Sequence, residues 1–403
     1  MMTKAFIPLA LAVAASVAAN GLANPHAGDD AALESSTVAT YRAYISALNS
    51  HQIDRTLNFY APGYIFRRLG QPVERTMEEL RHIREWETPM QARLEAEIVS
   101  VNGEWLTARV IETNLLYEAL EVHRPMVWTY RIRDGRLYEA NLTEIREEAR
   151  PWPRARLEFE AWLTRRPVEE TEGLLSDGRL MFTGEAARRL RPFLRQWRQA
   201  VAAARVENEK VMRSFIAALN RHDVDAQYRH YSPDVTYLDN GSRVVPDKER
   251  SRPNREFEAA NHAQWSYRAL GAGLDSLDVI VTEEMEFYRL LGVGARSHRA
   301  YYRFREGKIF EVEAWDWTQS GRPYAATRDR FAQWVLRERP DAAAHVINGG
   351  GLQFNAATAP VINLLLREWR AAGMPGSPPE AARLPTAQSP SARGATSIPG
   401  GEK

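Results

Sequence analysis

The chain has 403 residues, with 44% hydrophobic and 26% charged, the balance of a globular protein with room for two or three domains. Its formal net charge of +1 supplies no field for nucleic acid or an anionic membrane, so neither is an expected partner. It contains no cysteine, which excludes disulfides, thiol nucleophiles and cysteine-ligated metals. The basic residues are mostly Arg, and neighbours such as Arg84/Glu85 and Arg303/Glu306 read as a solvated surface of mixed charge.

In chain order, the first 23 residues read as a signal peptide. Lys4 gives a positive start, Ala5 to Ala19 is an apolar run, and Gly21-Leu22-Ala23 presents small residues for cleavage. The run is shorter than the roughly 20 residues that span a bilayer. A periplasmic or secreted protein beginning near Asn24 is expected, and no later stretch is apolar enough to span.

The next feature is an internal repeat. Residues Tyr41 to Gly63 lie over Met212 to Asp234 at an offset of 171, without a gap. Arg42, Ile45, Ala47, Leu48, Asn49, His51, Asp54, Tyr60 and Pro62 recur there. The register returns shifted by one, with Tyr130-Arg-Ile-Arg-Asp-Gly-Arg136 over Tyr302-Arg-Phe-Arg-Glu-Gly-Lys308, and Trp162 and Trp197 over Trp334 and Trp369. This predicts one copy over 34–200 and a second over 201–372. The run 373–403 is rich in Pro, Ser, Ala and Gly and reads as a disordered tail.

Each copy reads helix, helix, strand, strand, helix, then strands. Tyr41, Tyr44, Ile45 and Leu48 make one apolar helical stripe, and Met212, Phe215, Ile216 and Leu219 repeat it. Asn49 and Asn220 suit a left-handed position after that helix. Asp54 and Asp225 suit the first turn of the next. Asp239-Asn-Gly241 signals a two-residue hairpin. A third helix is expected to carry Trp86 in one copy and His262 and Trp265 in the other. Later strands turn at Asp134-Gly135 and Glu306-Gly307.

The order and the wording FIAALNRHDVDAQYRHYSPDVTYLD resemble the SnoaL-like, nuclear transport factor 2-like superfamily. The resemblance covers the first two thirds of each copy. It implies an α+β fold of two tandem cone-shaped domains, each a curved antiparallel sheet wrapped on helices around an apolar pocket. Isomerases, cyclases, dehydratases, epoxide hydrolases and binding modules share this fold, so the resemblance speaks for fold rather than chemistry. The C-terminal helical extensions, about 145–200 and 318–372, depart from the family pattern. They read as braces between the cones or as lids.

Strand alternation assigns the inner faces. Val235, Tyr237 and Asp239 share one, against Tyr64, Phe66 and Arg68 in the first copy. His298, Ala300, Tyr302 and Phe304 share another, against Met126, Trp128, Tyr130 and Ile132. Ala314 and Asp316 are expected inside on the last strand, with Glu311, Glu313, Trp315 and Trp317 on the opposite face as an interface, as between the copies. The second copy thus gathers Asp239, His298 and Tyr237 as candidate base, acid and oxyanion donor. Phe215, His262, Trp265, Tyr302 and Asp316 complete its pocket; Tyr44, Phe66, Arg68, Trp86 and Trp128 line the first. Each has a plainer structural reading: Asp239 as a turn residue, Tyr44 as core, and the repeated His51 and His222 at a helix-to-helix turn. Against the family's ketosteroid isomerases, Asp239 matches the general base, but the oxyanion tyrosine falls on Phe215 (Tyr44 in the first copy). Their second acid falls on Ala300 or Trp128, so steroid isomerisation is not supported.

No metalloprotease, nucleophile-elbow, phosphate-loop or dinucleotide signature is present, and no metal or cofactor is expected. Gly349-Gly-Gly351 reads as a turn. The favoured function is binding of a small, largely apolar molecule, with the two halves pairing as a pseudo-dimer and homo-oligomers open. The alternative is a lyase-, isomerase- or cyclase-type enzyme using Asp239 and His298.

Overall fold

The computed structural model describes residues 27–244 and 248–374. The expected signal peptide, and the expected tail beyond its first two residues, lie outside the described residues. The chain divides into two compact units. One holds residues 27–115, 124–146 and 181–189; the other holds 116–123, 147–180 and 190–374.

The first domain runs α1 (Ala27–Asn49), α2 (Ile53–Leu57), β1 (Tyr60–Arg68), β2 (Gln71–Val73), α3 (Met77–Glu87), β3 (Arg93–Asn102), β4 (Trp105–Thr113), α4 (Leu115–Leu120), β5 (Pro125–Arg133) and β6 (Arg136–Ile145). Its sheet has the order β2-β1-β6-β5-β4-β3. All pairs are antiparallel except β1 with β6, which is parallel. Register shifts in β1, β3 and the β5–β6 pair are bulges, the devices that bend a sheet. The predicted stripe of α1 is buried on the inner face, where Tyr41, Tyr44 and Leu48 meet Leu106, Val110, Tyr130 and Ile132.

A connecting region follows: α5 (Trp152–Leu163), α6 (Val168–Thr171), the pair β7 (Leu175–Ser176) and β8 (Arg179–Leu180), and the long α7 (Gly184–Asn220). The boundary expected at 200/201 falls inside this one helix. The second domain continues with α8 (Val224–Arg229), β9 (Tyr231–Asp239), β10 (Ser242–Val244), α9 (Lys248–Ala260), β11 (Gln264–Ala272), β12 (Ser276–Glu284), α10 (Glu286–Leu291), β13 (Arg296–Arg305) and β14 (Lys308–Gln319). It closes with α11 (Tyr324–Glu338), α12 (Pro340–Val346), β15 (Ile347–Asn348), β16 (Gly351–Leu352) and α13 (Thr358–Ala371). The second sheet has the order β10-β9-β14-β13-β12-β11, again with one parallel pair, β9 with β14. Positive φ falls at matched places in the two domains: His51 and His222, Leu69 and Asn240, Gln91 and His262, Asp134 and Glu306. The hairpin predicted at Asp239 forms, with Asn240 and Gly241 both left-handed and Asp239 opposite Ser242. The Gly349-Gly350 turn joins β15 to β16 in the same way.

Three expectations need correction. Asn49 and Asn220 end their helices, but His51 and His222 take the left-handed position. The asparagines do something else. Asn49 accepts from the Leu94 amide at 2.8 Å and donates to its carbonyl at 3.0 Å, and Asn220 does the same with Trp265 at 2.7 and 2.9 Å. Each side chain therefore ties a helix end to the edge strand of its sheet. Second, Trp265 lies on β11, not on a helix, and is the counterpart of Leu94. His262 sits exposed in the turn that ends α9, at φ 52°. Third, Asp316 is exposed at φ 52°, the extra residue of a bulge in β14. That bulge reverses the alternation, so Trp317 rather than Asp316 turns to the face of His298.

The outer face of the second sheet is occupied by residues 147–158. Arg150, fully buried, donates through Nε to Asp278 at 2.9 Å, to the Ala272 carbonyl at 2.8 Å and to Glu158 at 2.7 Å. Glu158 also accepts from Tyr301 at 2.8 Å and Ser276 at 3.2 Å. Arg154 bonds Glu313 and lies 4.0 Å from the Tyr301 ring centroid and 4.8 Å from that of Trp315. Two glycines make the seat. A Cβ on Gly271 would stand 2.3 Å from Arg150 Cγ, and one on Gly273 would stand 1.9 Å from Glu158 Oε2. The second extension packs elsewhere, with Phe331, Trp334 and Trp369 joining Phe257, Phe287 and Tyr288 in one core.

Candidate functional site

The structure places the candidates of the second domain as follows. His298 is buried on β13, and its ring stacks on Trp317 at 4.1 Å. Burial, with Arg296 and Arg255 nearby, pushes its pKa down to about 4, so the ring is neutral at pH 7. Asp239 is exposed at the end of β9 and accepts from the Trp317 indole N–H at 3.2 Å. The indole thus touches both residues, one by its face and one by its N–H. Tyr237 lies inside beside Tyr231, with ring centroids 5.5 Å apart, and burial pushes its pKa up. Phe215 and Tyr302 are buried core, with centroids 6.4 Å apart.

In the first domain Tyr44 is core, and its hydroxyl lies 3.0 Å from that of Tyr60. Phe66 and Trp128 meet at 5.8 Å, and Arg68 is exposed. Trp86 is buried against Phe182 at 4.8 Å.

A second set of groups escaped the sequence reading. Arg84, expected on a solvated surface beside Glu85, is instead largely buried and paired with Glu87. Helix α3 is positioned by a capping box at its start, where Thr76 and Glu79 bond each other's amides. Arg84 also donates to the Tyr60 hydroxyl at 3.3 Å. Glu112, at the end of β4, accepts from Asn114 at 2.8 Å. Burial and the Glu87 carboxylate push its pKa up to about 7. Leu48, His51, Ile53, Thr56, Arg84 and Glu87 line a cleft of about 10 Å³, room for one water.

The second domain carries the same set 171 positions on. Arg255 pairs with Glu258 at 2.7 Å and lies 5.6 Å from the Trp265 ring centroid. Glu283, buried on β12, accepts from the Tyr288 hydroxyl at 2.8 Å, and that hydroxyl accepts from Arg296 at 2.9 Å. Burial and the Glu258 charge push Glu283 up to about 8. The Arg296 guanidinium lies 4.0 Å from the Tyr324 ring centroid and 4.7 Å from that of Trp317. Two acids share a low-dielectric interior with two guanidiniums, so one carboxyl holds its proton near neutrality. The repeated spelling Arg84-Glu-Trp-Glu87 and Arg255-Glu-Phe-Glu258 was the available signal. Among the described residues, no group of three His, Asp or Glu side chains is arranged to hold a metal ion.

Fold and site together define an α+β cone with ionisable groups at one end of its inner face. Residues 41–140 match the family described as the SnoaL-like domain. Among solved structures, the chain is similar to a nuclear transport factor 2-like protein of unknown function from Cytophaga hutchinsonii, at 12% identity and TM-score 0.22, over 28% of this chain and 89% of that one. It is also similar to an LEH-like epoxide hydrolase of M. tuberculosis, at 12% identity and TM-score 0.23, over 27% and 81%. A third is a nuclear transport factor 2-like protein from Burkholderia xenovorans, at 12% identity and TM-score 0.23, over 28% and 91%. No curated protein matches the chain. No helix among the described residues is long and apolar enough to cross a membrane.

Proposed function

We propose that the chain is an exported protein made of two SnoaL-like copies in tandem, each binding a small, largely apolar molecule at the inner face of its cone. One observation carries the reading: the same internal set, Arg84/Glu87/Glu112 and Arg255/Glu258/Glu283, stands in both halves. Buried charges are weak devices for stability, because desolvation offsets much of their attraction. Their recurrence among aromatic walls therefore supports a role in holding the polar end of a ligand. The test is native mass spectrometry of the mature protein purified from its own compartment, looking for a small molecule retained on the folded chain. A bound species lost in the double variant Arg84→Met/Arg255→Met, with the fold intact by circular dichroism, supports the reading. A ligand-free wild type, with no small molecule protecting it against thermal unfolding, overturns it.

A second reading is proton transfer by Asp239 and His298, as in a lyase, isomerase or cyclase. It is favoured by the neutral imidazole and by the shared indole between the two residues. Asp239→Asn is expected to abolish any turnover found while leaving the fold unchanged; equal turnover by both proteins removes Asp239 as the base.

A further inference from the structure

On the helix α7, Arg191, Arg195 and Arg198 follow one another at spacings of four and three, which puts them on one face, and all three are exposed. Leu194, Trp197 and Val201, on another face, are buried. None of the three arginines makes an ion pair or hydrogen bond among the described residues, and no acid occurs in the sequence from Ala186 to Val206. The later half of the same helix is different: Arg205 pairs with Glu121 and Glu209, and Arg213 with Glu209.

The other copy of the repeat supplies the comparison. Trp197 matches Trp369, which sets Arg195 over Arg367 and Arg198 over Arg370. Arg367 pairs with Glu286 at 2.6 Å, and Arg370 donates to the Arg289 carbonyl at 2.9 Å. At the offset of 171, Glu286 falls on Leu115, which has no charge to offer. The second copy therefore spends these arginines inside its fold, and the first leaves them to an outside partner.

We propose that this row is a docking surface for an anionic lipid bilayer, laid against its phosphate head groups. At the helical rise the three residues span about 10 Å, one Debye length at 0.1 M salt, so they act as a single cluster although the whole chain carries only +1. The planar guanidinium suits phosphate oxygens. The same row continues into Ala202 and Val206, both exposed, Val206 at 60%. An apolar end beside cations fits the boundary between head groups and acyl chains. A nucleic acid strand would call for aromatic rings on the charged face, and those of this stretch, Phe193 and Trp197, turn to Trp162 instead.

Co-sedimentation of the full mature chain with lipid vesicles tests the proposal, independently of any pocket ligand. Vesicles of phosphatidylcholine containing about 30% phosphatidylglycerol are expected to hold the protein at least about tenfold better than phosphatidylcholine alone, and to release it between about 0.05 M and about 0.5 M salt. The triple variant Arg191→Gln/Arg195→Gln/Arg198→Gln should weaken that binding on the order of 100-fold. Arg305→Gln/Arg328→Gln/Arg337→Gln removes the same charge from arginines that are already paired and should bind as the wild type does. Equal association with both kinds of vesicle, equal losses in the two triple variants, or preference for double-stranded DNA over anionic vesicles at matched phosphate overturns the assignment. If the first variant does not fold, the lipid and salt comparisons on the wild type still decide.

Discussion

Single side chains decide how this protein responds to pH. Glu283 has a folded pKa raised from 4.5 to about 8, so the folded state keeps a proton that the unfolded chain releases. Its contribution to stability is full below about pH 4.5 and is lost as pH rises through 8. His298 runs the other way, lowered from 6.5 to about 4: its contribution is full above 6.5 and is lost as pH falls through 4. Thermal melts of Glu283→Gln are expected to lack the alkaline decline of the wild type between pH 6 and 8.5, and melts of His298→Phe to lack part of the acid decline. An unchanged slope in either variant rejects that assignment. These groups were hard to read because their state depends on partners far away in the chain. Arg84 beside Glu85 looks solvated in one dimension, and only the fold turns it to Glu87 and Tyr60.

At the scale of elements, the readable parts were those encoded locally. The α1 stripe, the Asp239-Asn-Gly hairpin and the turns at Asp134 and Glu306 follow from spacing and turn chemistry, and each stands where it was expected. The misplaced parts lack such marks. No glycine ends α9; His262 takes the left-handed position instead, so the helix seemed to run on through Trp265. The bulge at Asp316 likewise has no glycine to announce it, and it exchanges Asp316 for Trp317 on the inner face. The asparagine ties are a testable consequence. Asn220→Ala leaves the Trp265 amide and carbonyl without their partner and should destabilise the second domain by about 1–3 kcal/mol in denaturant unfolding. The seat on the outer face predicts a larger effect. Arg150→Leu takes the buried cation from between Asp278 and Glu158, leaving them Arg154 and the Tyr301 and Ser276 hydroxyls, and should cost about 3–5 kcal/mol, while Gly271→Ala should cost about 1–3 kcal/mol by crowding Arg150. A change below 0.5 kcal/mol in both would mean the seat is not formed in solution.

For the molecule as a whole, the α+β class and two tandem domains were legible because each statement was made twice in the sequence. What could not be read was where one part stops. The repeat places the seam at 200/201, yet residues 147–180 are compact with the second sheet, and a single helix runs across the seam. A fragment covering 147–372 is expected to unfold cooperatively, and one covering 201–372 to melt at least about 10 °C lower, as loss of a buried ion network in a domain of this size implies. Equal melting points would show that the segment is dispensable. Export is tested separately: mass analysis of protein recovered outside the cytosol should find a chain beginning near Asn24.

The Gly271-Ala272-Gly273 strand end also sets the two sheets apart. Its counterpart in the first sheet is Ser100-Val101-Asn102, and Asp278 is matched by Thr107, so the leading half has neither the clearance nor the counter-charge to receive an arginine of this kind. The notch and the counter-charge that seat Arg150 are therefore particular to the second sheet, and the two sheets are not interchangeable at this edge.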